Sequence, residues 1–476
     1  VYSSLLLKRR KYIHEKIGRA IETLYPERLE EFYEMLAYHY TEAGCHEQAV
    51  AYWQQAGQRA RQRSANMEAL DHLTKGLEGL KPLPDTPVRT QLELDFLIAL
   101  GLAYRLTRGY TAPEAARIYT RARKVCQQVG DTPKLAQVLF GLSIYHLGRA
   151  DYRTARELGE QLLAEARRQR DAGLMLEAHR VLGSTLYYTG EFSAANAHLE
   201  QGIALYDHQQ HRSHTELFGF DPGVVCHAIA ALALSALGYP DQAQQRIQTA
   251  LTLAQATSHP HSLGAALNWA TELHQHCGEP RVVQEHAERS LAFSSEHGFP
   301  HWVAWATQNR GWALAIQGRS KEGIAQLHQG RDMLQDLGLE IAMTGILGNL
   351  AEAYGHAGQP EAGLQAVAEA LKLVEQTGER KYEASLYRTK GELLLGLTAD
   401  HRTEAESCFH QALAGARRQQ AKLFELRAAT SLSRLWQKQG KIQEARELLA
   451  EIYGWFTEGF DTKYLKEAKA LLEELV

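Results

Sequence analysis

LGSTLYYTGEFSAANAHLEQG, residues 182–202, is the stretch from which the fold of this chain can be argued. Leucines occupy positions 182, 186 and 199, small residues occupy 183, 195 and 202, and a glycine stands at 190. Small side chains let two antiparallel helices approach closely, and the leucines fill the seam between them. A glycine ends the first helix well because it adopts a positive φ without strain. The stretch therefore predicts a helical hairpin.

The hairpin repeats along the chain with a fixed period. The glycines that mark it most clearly stand 40 residues apart, at Gly238, Gly278, Gly318 and Gly358. Small, apolar and small residues follow each glycine in turn, for example Gly323, Leu327 and Gly330. Such a period indicates a solenoid of stacked units. We expect an all-α, right-handed superhelix of about ten antiparallel hairpins, with helices of roughly 16–19 residues.

The spacing within one unit resembles that of a tetratricopeptide (TPR) repeat, although the usual TPR period is shorter, about 34 residues. The fold is therefore predicted to be a TPR-like α-solenoid with a period of 40 residues. We expect residues 1–24 to be the end of a preceding segment or an N-terminal capping helix. Residues 25–460 should form the solenoid, and residues 461–476 a C-terminal capping helix with a polar outer face.

Composition favours a cytoplasmic interaction protein. The net charge is −4 with both signs scattered, which argues against a general nucleic-acid or membrane surface, so neither partner is expected. The basic run at 8–11 is interpreted as a solvated helix face rather than a DNA contact. The five cysteines form no close pair and are expected to be reduced thiols. No apolar run reaches the length of a membrane span, and no secretory leader is expected.

Catalytic motifs are absent from the sequence. It contains no phosphate-binding loop of the GxxxxGK[ST] type, and no GxGxxG, HExxH, GxSxG or CxxC motif. We therefore expect no enzymatic activity and no cofactor in this chain. Because the chain opens on Val1 inside a helical pattern, it is expected to be a fragment of a longer protein.

Histidine is plentiful, and two groups of residues that contain it are candidate metal sites. One is HQHCG at 274–278, where His276 and Cys277 are neighbours and point in different directions on a helix. The other consists of three histidines spaced three residues apart, His208, His211 and His214. These share a helix face only loosely, because each step turns about 60°. No metal is predicted at either place. Asp221 is expected instead to cap a helix that begins at Pro222.

The inner surface of the solenoid is the predicted binding groove. Residues at offsets −6, −3, +1, +4 and +5 from the Gly183 position should form one inward stripe on each first helix. The segment 207–223 is the longest irregular insertion, and long loops in compact arrays are usually functional or disordered. Core packing is the alternative for each aromatic residue. The candidate residues of the groove are Tyr145, His146, Arg180, Tyr187, Tyr188, His211, His214, Asp221, Trp305, Gln308 and Trp312.

Several stretches resemble the C-terminal TPR region of large bacterial signalling ATPases. In that family a class III adenylate/guanylate cyclase domain, or sometimes a protein kinase, is coupled to a STAND-type AAA-like NTPase and then to a TPR array. Residues 1–22 resemble the end of the winged-helix segment that follows the NTPase. The stretches that carry the TPR resemblance are LAYHYTEAGCHEQAVAYWQQAGQRARQRSAN (36–66), LTKGLEGLKPLPDTP (73–87), HLEQGIALYDHQQHRSH (198–214) and AEAYGHAGQPEAGLQAVAEAL (351–371).

This resemblance implies a sensor arm. It would recognise a protein or peptide partner in the groove and regulate an attached NTPase or nucleotide cyclase. The motifs of those two activities are missing here, so the resemblance places the activities in upstream domains of a longer protein. An alternative is a small-molecule receptor, because the inducer-binding TPR arm of STAND-type transcription activators is similar at a greater distance.

Overall fold

The chain is all helical throughout the part that the computed structural model describes, and the predicted all-α solenoid is confirmed. None of the described helices is both long enough and apolar enough to span a lipid bilayer. Residues 1–6 of the expected N-terminal part and residue 476 of the expected capping helix lie outside the described residues. The described residues are 7–63, 65–130, 132–211, 213–397 and 399–475.

The chain forms two compact units. Unit 1 comprises Val1–Tyr145 with Glu216–Gly219, and unit 2 comprises His146–Thr215 with Phe220–Val476. A 3-10 helix, Pro26–Glu31, lies in unit 1. The helices that lie wholly in unit 1 are α1 Leu7–Leu24, α2 Tyr33–Ala43, α3 His46–Gln62, α4 Asn66–Gly79, α5 Pro87–Arg108 and α6 Pro113–Val129. The helices with residues in both units are α7 Thr132–Gly148 and α11 His214–Phe218.

Unit 2 continues the hairpins in chain order, with a short 3-10 helix at Ala399–His401. Its helices are α8 Tyr152–Gln169, α9 Ala172–Tyr188, α10 Phe192–Leu205, α12 Pro222–Leu237, α13 Pro240–Ala256, α14 Pro260–His276, α15 Pro280–Glu296, α16 Pro300–Ile316, α17 Ser320–Asp336, α18 Met343–His356, α19 Pro360–Thr377, α20 Glu383–Leu397, α21 Arg402–Arg418, α22 Lys422–Lys438, α23 Ile442–Tyr453 and α24 Lys463–Glu474.

Short turns set the length of the helices in unit 2. At the end of α14, Gly278 has a φ of 74°, and the Glu279 N–H donates to the His274 carbonyl 3.1 Å away. Pro280 then starts α15, where its missing N–H costs nothing. The same arrangement at Gly298 and Pro300 starts the next helix. Helices of 17 residues result, as the sequence predicts.

The two helices of a hairpin meet at a seam of small residues. In α16 and α17 the contact is backbone to backbone, because an added Cβ at Gly323 would lie 2.5 Å from the Gly311 carbonyl oxygen. A Cβ at Gly330 would lie 2.8 Å from the Ala304 carbonyl oxygen. The repeated small residues are therefore explained by the close approach of the helices.

The first helix of a hairpin is more deeply buried than the second. Nearly every residue of α12 is buried, including polar Ser235. In the following helix, α13, burial is limited to the stripe Ala243, Ile247, Ala250 and Ala254. The first helices therefore supply the side chains that line the interior of unit 2.

Candidate functional site

The predicted groove residues on α9 and α16 face the interior of unit 2, and most of them are buried. Tyr187 is 1% exposed, Tyr188 9% and Trp312 3%. Gln308 is also buried, whereas Trp305 is half-buried. Other parts of the protein therefore cover most of these inward-facing side chains.

Part of the cover comes from a later portion of the same chain. The Gly148 carbonyl accepts hydrogen bonds from the N–H groups of Glu340 and Ile341, at 2.9 and 3.1 Å. One 40-residue repeat further on, the Tyr188 carbonyl accepts from the N–H groups of Arg380 and Lys381, both at 3.2 Å. In each case the C-terminal end of the first helix of one hairpin contacts the turn that precedes the first helix of a hairpin much later in the chain. These closing contacts seal the interior of unit 2 at Tyr188.

A buried lysine is the centre of the sealed region. Lys381 is 2% exposed, and its Nζ lies 4.8 and 4.5 Å from the ring centroids of Tyr187 and Tyr188. Nζ also donates to Glu272 Oε1 at 2.9 Å, and the same oxygen accepts from the hydroxyls of Tyr187 and Tyr382. Burial alone would raise the pKa of Glu272, but Lys381 and the hydrogen bonds lower it to about 2. Glu272 is thus a fixed anion that holds the lysine.

A second carboxyl group near Lys381 behaves in the opposite way. Glu379 is buried and accepts hydrogen bonds from the Tyr152 hydroxyl at 3.0 Å and the Thr344 hydroxyl at 2.7 Å. Burial raises its pKa, and the lowering effects of Lys381 and of the hydrogen bonds do not offset this. The two carboxyl groups therefore have pKa values that are shifted apart.

The predicted residues Arg180, His211 and His214 come together around Glu177. Arg180 Nε donates to Glu177 Oε2 at 2.7 Å, and His214 Nδ1 lies 2.9 Å from Glu177 Oε1. The His211 ring packs edge-on against His214 with centroids 4.9 Å apart. Glu177 is fully buried, so this cluster ties His211 and His214 to α9.

Asp221 caps α12, and this prediction is confirmed. Its Oδ1 accepts from the Val224 N–H at 3.0 Å, with Pro222 in the first turn. Oδ2 accepts from the Tyr206 hydroxyl at 2.9 Å. Burial raises the pKa of Asp221, while the bonds from Val224 and Tyr206 act to lower it.

The two remaining predicted residues lie at the end of α7. Tyr145 is half-buried and belongs to unit 1. His146 belongs to unit 2, where its Nδ1 lies 3.0 Å from Oδ2 of Asp151, the residue that caps α8. His146 thus contacts the hairpin turn.

Trp312 lies beside a network of amide side chains. Its Nε1 donates to Glu352 Oε2 at 2.8 Å. Asn349 Nδ2 donates to Gln308 Oε1 at 3.1 Å, and Asn349 Oδ1 accepts from Gln275 Nε2 at 2.7 Å. Gln275, Trp312, Asn349 and Glu352 border a small cavity of about 50 Å³. At this position the inward-facing side chains are polar, and a small cavity lies beside them.

A larger pocket adjoins that cavity, and its volume is about 450 Å³. The first helices α18, α20 and α22 form it together with α24, and it shares Glu352, Arg388 and Arg427 with the smaller cavity. We call it the arginine pocket. Its polar lining residues are Glu352, His356, Arg388, Thr389, Glu392, Arg427, Thr430, Ser431, Arg434, Lys463, Tyr464 and Glu467.

Like charges are crowded in the arginine pocket. Burial and the neighbouring Arg427 lower the pKa of Arg388. The Arg427 guanidinium lies 4.4 Å from the ring centroid of Tyr464. Burial would raise the pKa of Glu352, but Arg427, Arg388 and the bond from Trp312 lower it overall. The site therefore concentrates positive charge around the half-buried carboxylate of Glu352.

The pocket residues were not among the predicted groove residues, yet the sequence carried a signal for them. The same inward offsets, continued from α16 into the next three first helices, select Glu352, Arg388, Glu392, Arg427 and Arg434. The rule thus extends to the C-terminal hairpins.

The described residues offer one group with the spacing of metal ligands, in unit 1. Ligand atoms of Glu34, Glu68 and His72 lie within 4.8 Å of one another. The two carboxylates are exposed and His72 is buried. Exposed acidic groups are common without a bound ion, and we assign no role to this group.

Comparison of the sequence with known proteins does not show which family this chain belongs to. No protein-family model matches the chain. It is 23% identical over 408 residues to the uncharacterized protein R02095 of Rhizobium meliloti (strain 1021). That match covers 85% of this chain but only 39% of the relative, so the chain spans well under half of the relative's length.

Solved structures with a similar fold are TPR-like solenoids. A Rap protein complexed with competence and sporulation factor has a TM-score of 0.52 and 13% identity, covering 83% of this chain and 99% of that one. The TPR-sensor STAND protein of Pyrococcus horikoshii has a TM-score of 0.43 and 13% identity, with coverage of 86% and 60%. Human IFIT1 with PPP-AAAA has a TM-score of 0.45 and 14% identity, with coverage of 91% and 89%. The similarity establishes the fold, and the expected exclusion of nucleic acid is not supported.

Proposed function

We propose that this chain is a sensor arm that recognises a protein or peptide segment inside unit 2 and regulates an attached NTPase or nucleotide cyclase. The arginine pocket is the observation that carries the proposal. It is an accessible cavity built from the inward faces of successive first helices, which is where solenoids of this kind present their binding surfaces. Its charged and hydroxyl-bearing lining suits a polar segment of a partner.

The aromatic stripe extends the proposed recognition surface. A segment that fills the arginine pocket reaches the small cavity at Trp312, because the two spaces share lining residues. Gln308 and the half-buried Trp305 lie on α16, the helix that carries Trp312. In this proposal Tyr187 and Tyr188 become available when the closing contacts open, and Arg180, His211, His214 and Asp221 extend the recognition surface beside them.

Regulation of an attached domain is supported by two observations. The relative from Rhizobium meliloti is much longer than this chain, which leaves room for further domains. The closing contacts include backbone hydrogen bonds at the ends of two first helices, so a ligand that prefers the opened interior can shift the balance between closed and open forms. Such a shift would change the end of the solenoid that an output domain contacts.

A small-molecule receptor is the second candidate function. The volume of the arginine pocket, about 450 Å³, falls within the range of about 300–1,000 Å³ for small-ligand sites. A compact charged ligand would bind there without reaching the aromatic stripe.

Affinity capture tests the proposed function. The chain is expressed as bait in its source cell, crosslinked and analysed by mass spectrometry, beside the double variant Arg427→Glu/Arg434→Glu. The matched control is Arg319→Glu, because Arg319 is an exposed arginine on unit 2 that pairs with Glu322. We expect a protein that the wild type and the control retain and the pocket variant loses.

The captured protein is then added to the longer protein, and ATP hydrolysis is measured. A changed rate with the wild type but not with the pocket variant supports regulation. If no captured protein distinguishes the pocket variant from the control, the pocket is not a partner site and the proposal is wrong.

A further inference from the structure

We propose that the arginine pocket binds an oxyanion, the carboxylate or phosphate group of its ligand, through Arg388, Arg427 and Arg434. This inference rests on the proposed function, since it names the chemistry recognised at the same site.

The arginines of the pocket are only loosely paired. Arg388 and Arg427 approach Glu352 Oε1 at 3.8 and 3.9 Å, and Arg434 approaches Glu467 Oε2 at 3.8 Å. Charge-assisted hydrogen bonds between guanidinium and carboxylate groups are about 2.7–2.9 Å long. None of these three pairs reaches that length, so the guanidinium groups attract the carboxylates without forming hydrogen bonds to them.

Two arginines elsewhere in unit 2 pair more closely with carboxylates than the pocket arginines do. Arg246 lies 2.7 Å from Glu200, and Arg417 lies 2.8 Å from Glu425. The side chains of both of these arginines are more exposed than that of Arg388, which is only 14% exposed. Pairing should be tighter where water is scarcer. The long distances in the pocket therefore leave donor capacity for another anion.

The carboxylates of the pocket already accept hydrogen bonds from other donors. Glu352 accepts from Trp312 Nε1, and Glu392 accepts from the Ser431 hydroxyl. Arg388 Nε is buried and has no hydrogen-bond partner within the described part of the chain. A buried donor of this kind costs stability unless a partner is supplied. An oxygen atom of a ligand would supply it.

The balance of charge also favours an anion. The pocket is lined by four cationic side chains and three carboxylates. The cations are Arg388, Arg427, Arg434 and Lys463, and the carboxylates are Glu352, Glu392 and Glu467. Arg427 acts to lower the pKa of Arg388, and an anion between the two guanidinium groups would remove that repulsion. The planar fork of arginine suits carboxylate and phosphate oxygens alike.

Two probes test the inference on the purified chain. Pyrophosphate and succinate are titrated separately in a chloride buffer, and heat of binding and melting temperature are recorded. We expect at least one probe to bind and to raise the melting temperature. Arg427→Gln and Arg434→Gln should each weaken its binding about tenfold, as expected for the loss of one charge-assisted hydrogen bond.

Arg319→Gln is the matched control and should bind as the wild type does. Arg434 is 49% exposed in its pair, so Arg434→Gln is expected to fold even if Arg427→Gln does not, and circular dichroism checks this. Tighter binding of pyrophosphate identifies a phosphate ligand, and tighter binding of succinate a carboxylate ligand. If neither probe binds, or if the control loses as much affinity as the pocket variants, the inference is overturned.

Failure of this inference can be told from failure of the proposed function. The titrations need no partner, whereas affinity capture needs no small anion. Anion binding that depends on Arg434, without a captured partner, contradicts the proposed function alone. A captured partner that depends on the pocket, without anion binding, contradicts the oxyanion inference alone.

Discussion

Glycine at position 330 allows α16 and α17 to touch at the level of the backbone. A Cβ there would lie 2.8 Å from the Ala304 carbonyl oxygen and 2.9 Å from the backbone nitrogen of Gln308. Because the backbone cannot move aside easily, Gly330→Ala should lower the free energy of unfolding by about 1–3 kcal/mol in urea titrations. Gly396→Ala is the control, since the nearest atom to its added Cβ is 4.0 Å away. Equal losses in both variants would contradict this view of the seam.

Lys381 is the residue whose removal should damage the interior of unit 2 most. Lys381→Met leaves Glu272 as a buried anion without its cation, and breaking a buried pair in this way costs about 3–5 kcal/mol. We expect a loss of that size in the free energy of unfolding. Lys372→Met changes an exposed lysine of α19 and should be nearly neutral. A neutral Lys381→Met would mean that Glu272 is satisfied by its tyrosine partners alone.

Glu379 should make the stability of unit 2 depend on pH. Its folded-state pKa is raised above the ordinary value of 4.5, so the folded state holds the proton more tightly than the unfolded state. The stabilisation is fully present below pH 4.5 and is lost as the pH rises through the folded-state pKa. We therefore expect the wild type to lose stability relative to Glu379→Gln as the pH is raised above 4.5.

Thermal unfolding over a series of pH values measures this difference. Glu375→Gln, at an exposed glutamate of α19, is the control and should follow the wild type at every pH. A difference between wild type and Glu379→Gln that does not change with pH would show that Glu379 titrates normally.

At the scale of the element, the two helices of one hairpin differ in their contact with water. In α12 nearly every residue is buried, whereas α13 buries one stripe. Hydrogen exchange measured by mass spectrometry should therefore be slower for peptides from 222–237 than for peptides from 240–256. The hairpin provides its own control, because the helices are similar in length and pack against each other. Equal protection would indicate that the whole hairpin opens as one piece.

At the scale of the whole molecule, the proposed function requires an interior that a partner can reach. Trp312 is buried and hydrogen-bonded to Glu352, yet it borders open space. Loss of an aromatic anchor typically costs about 2 kcal/mol of binding, so Trp312→Ala should weaken the captured partner roughly 30-fold, as measured by calorimetry. Helical content by circular dichroism should be unchanged.

Trp455→Ala serves as the control for Trp312→Ala, because Trp455 is an exposed tryptophan of the same unit. If Trp312→Ala lowers the melting temperature and leaves partner affinity intact, Trp312 is a core residue and the recognition surface lies elsewhere in the pocket.

Much of the fold could be read from local patterns. The repeat, the helix lengths and the seam residues such as Gly323 and Gly330 depend on interactions within one hairpin. The cap at Asp221 depends on three neighbouring residues. A glycine turn, a capping carboxylate and a stripe of small residues have the same physical meaning wherever they occur, so the sequence alone was sufficient for these features.

The state of the candidate site was decided only by tertiary structure. The inward offsets select Tyr187 and Trp312, which are buried in unit 2, but they did not indicate that Lys381 would cover the tyrosines. The hydrogen bond from the Lys381 N–H to the Tyr188 carbonyl joins residues that lie several hairpins apart. Its geometry depends on the small rotation between successive hairpins summed over many repeats, and no local pattern in the sequence records that sum.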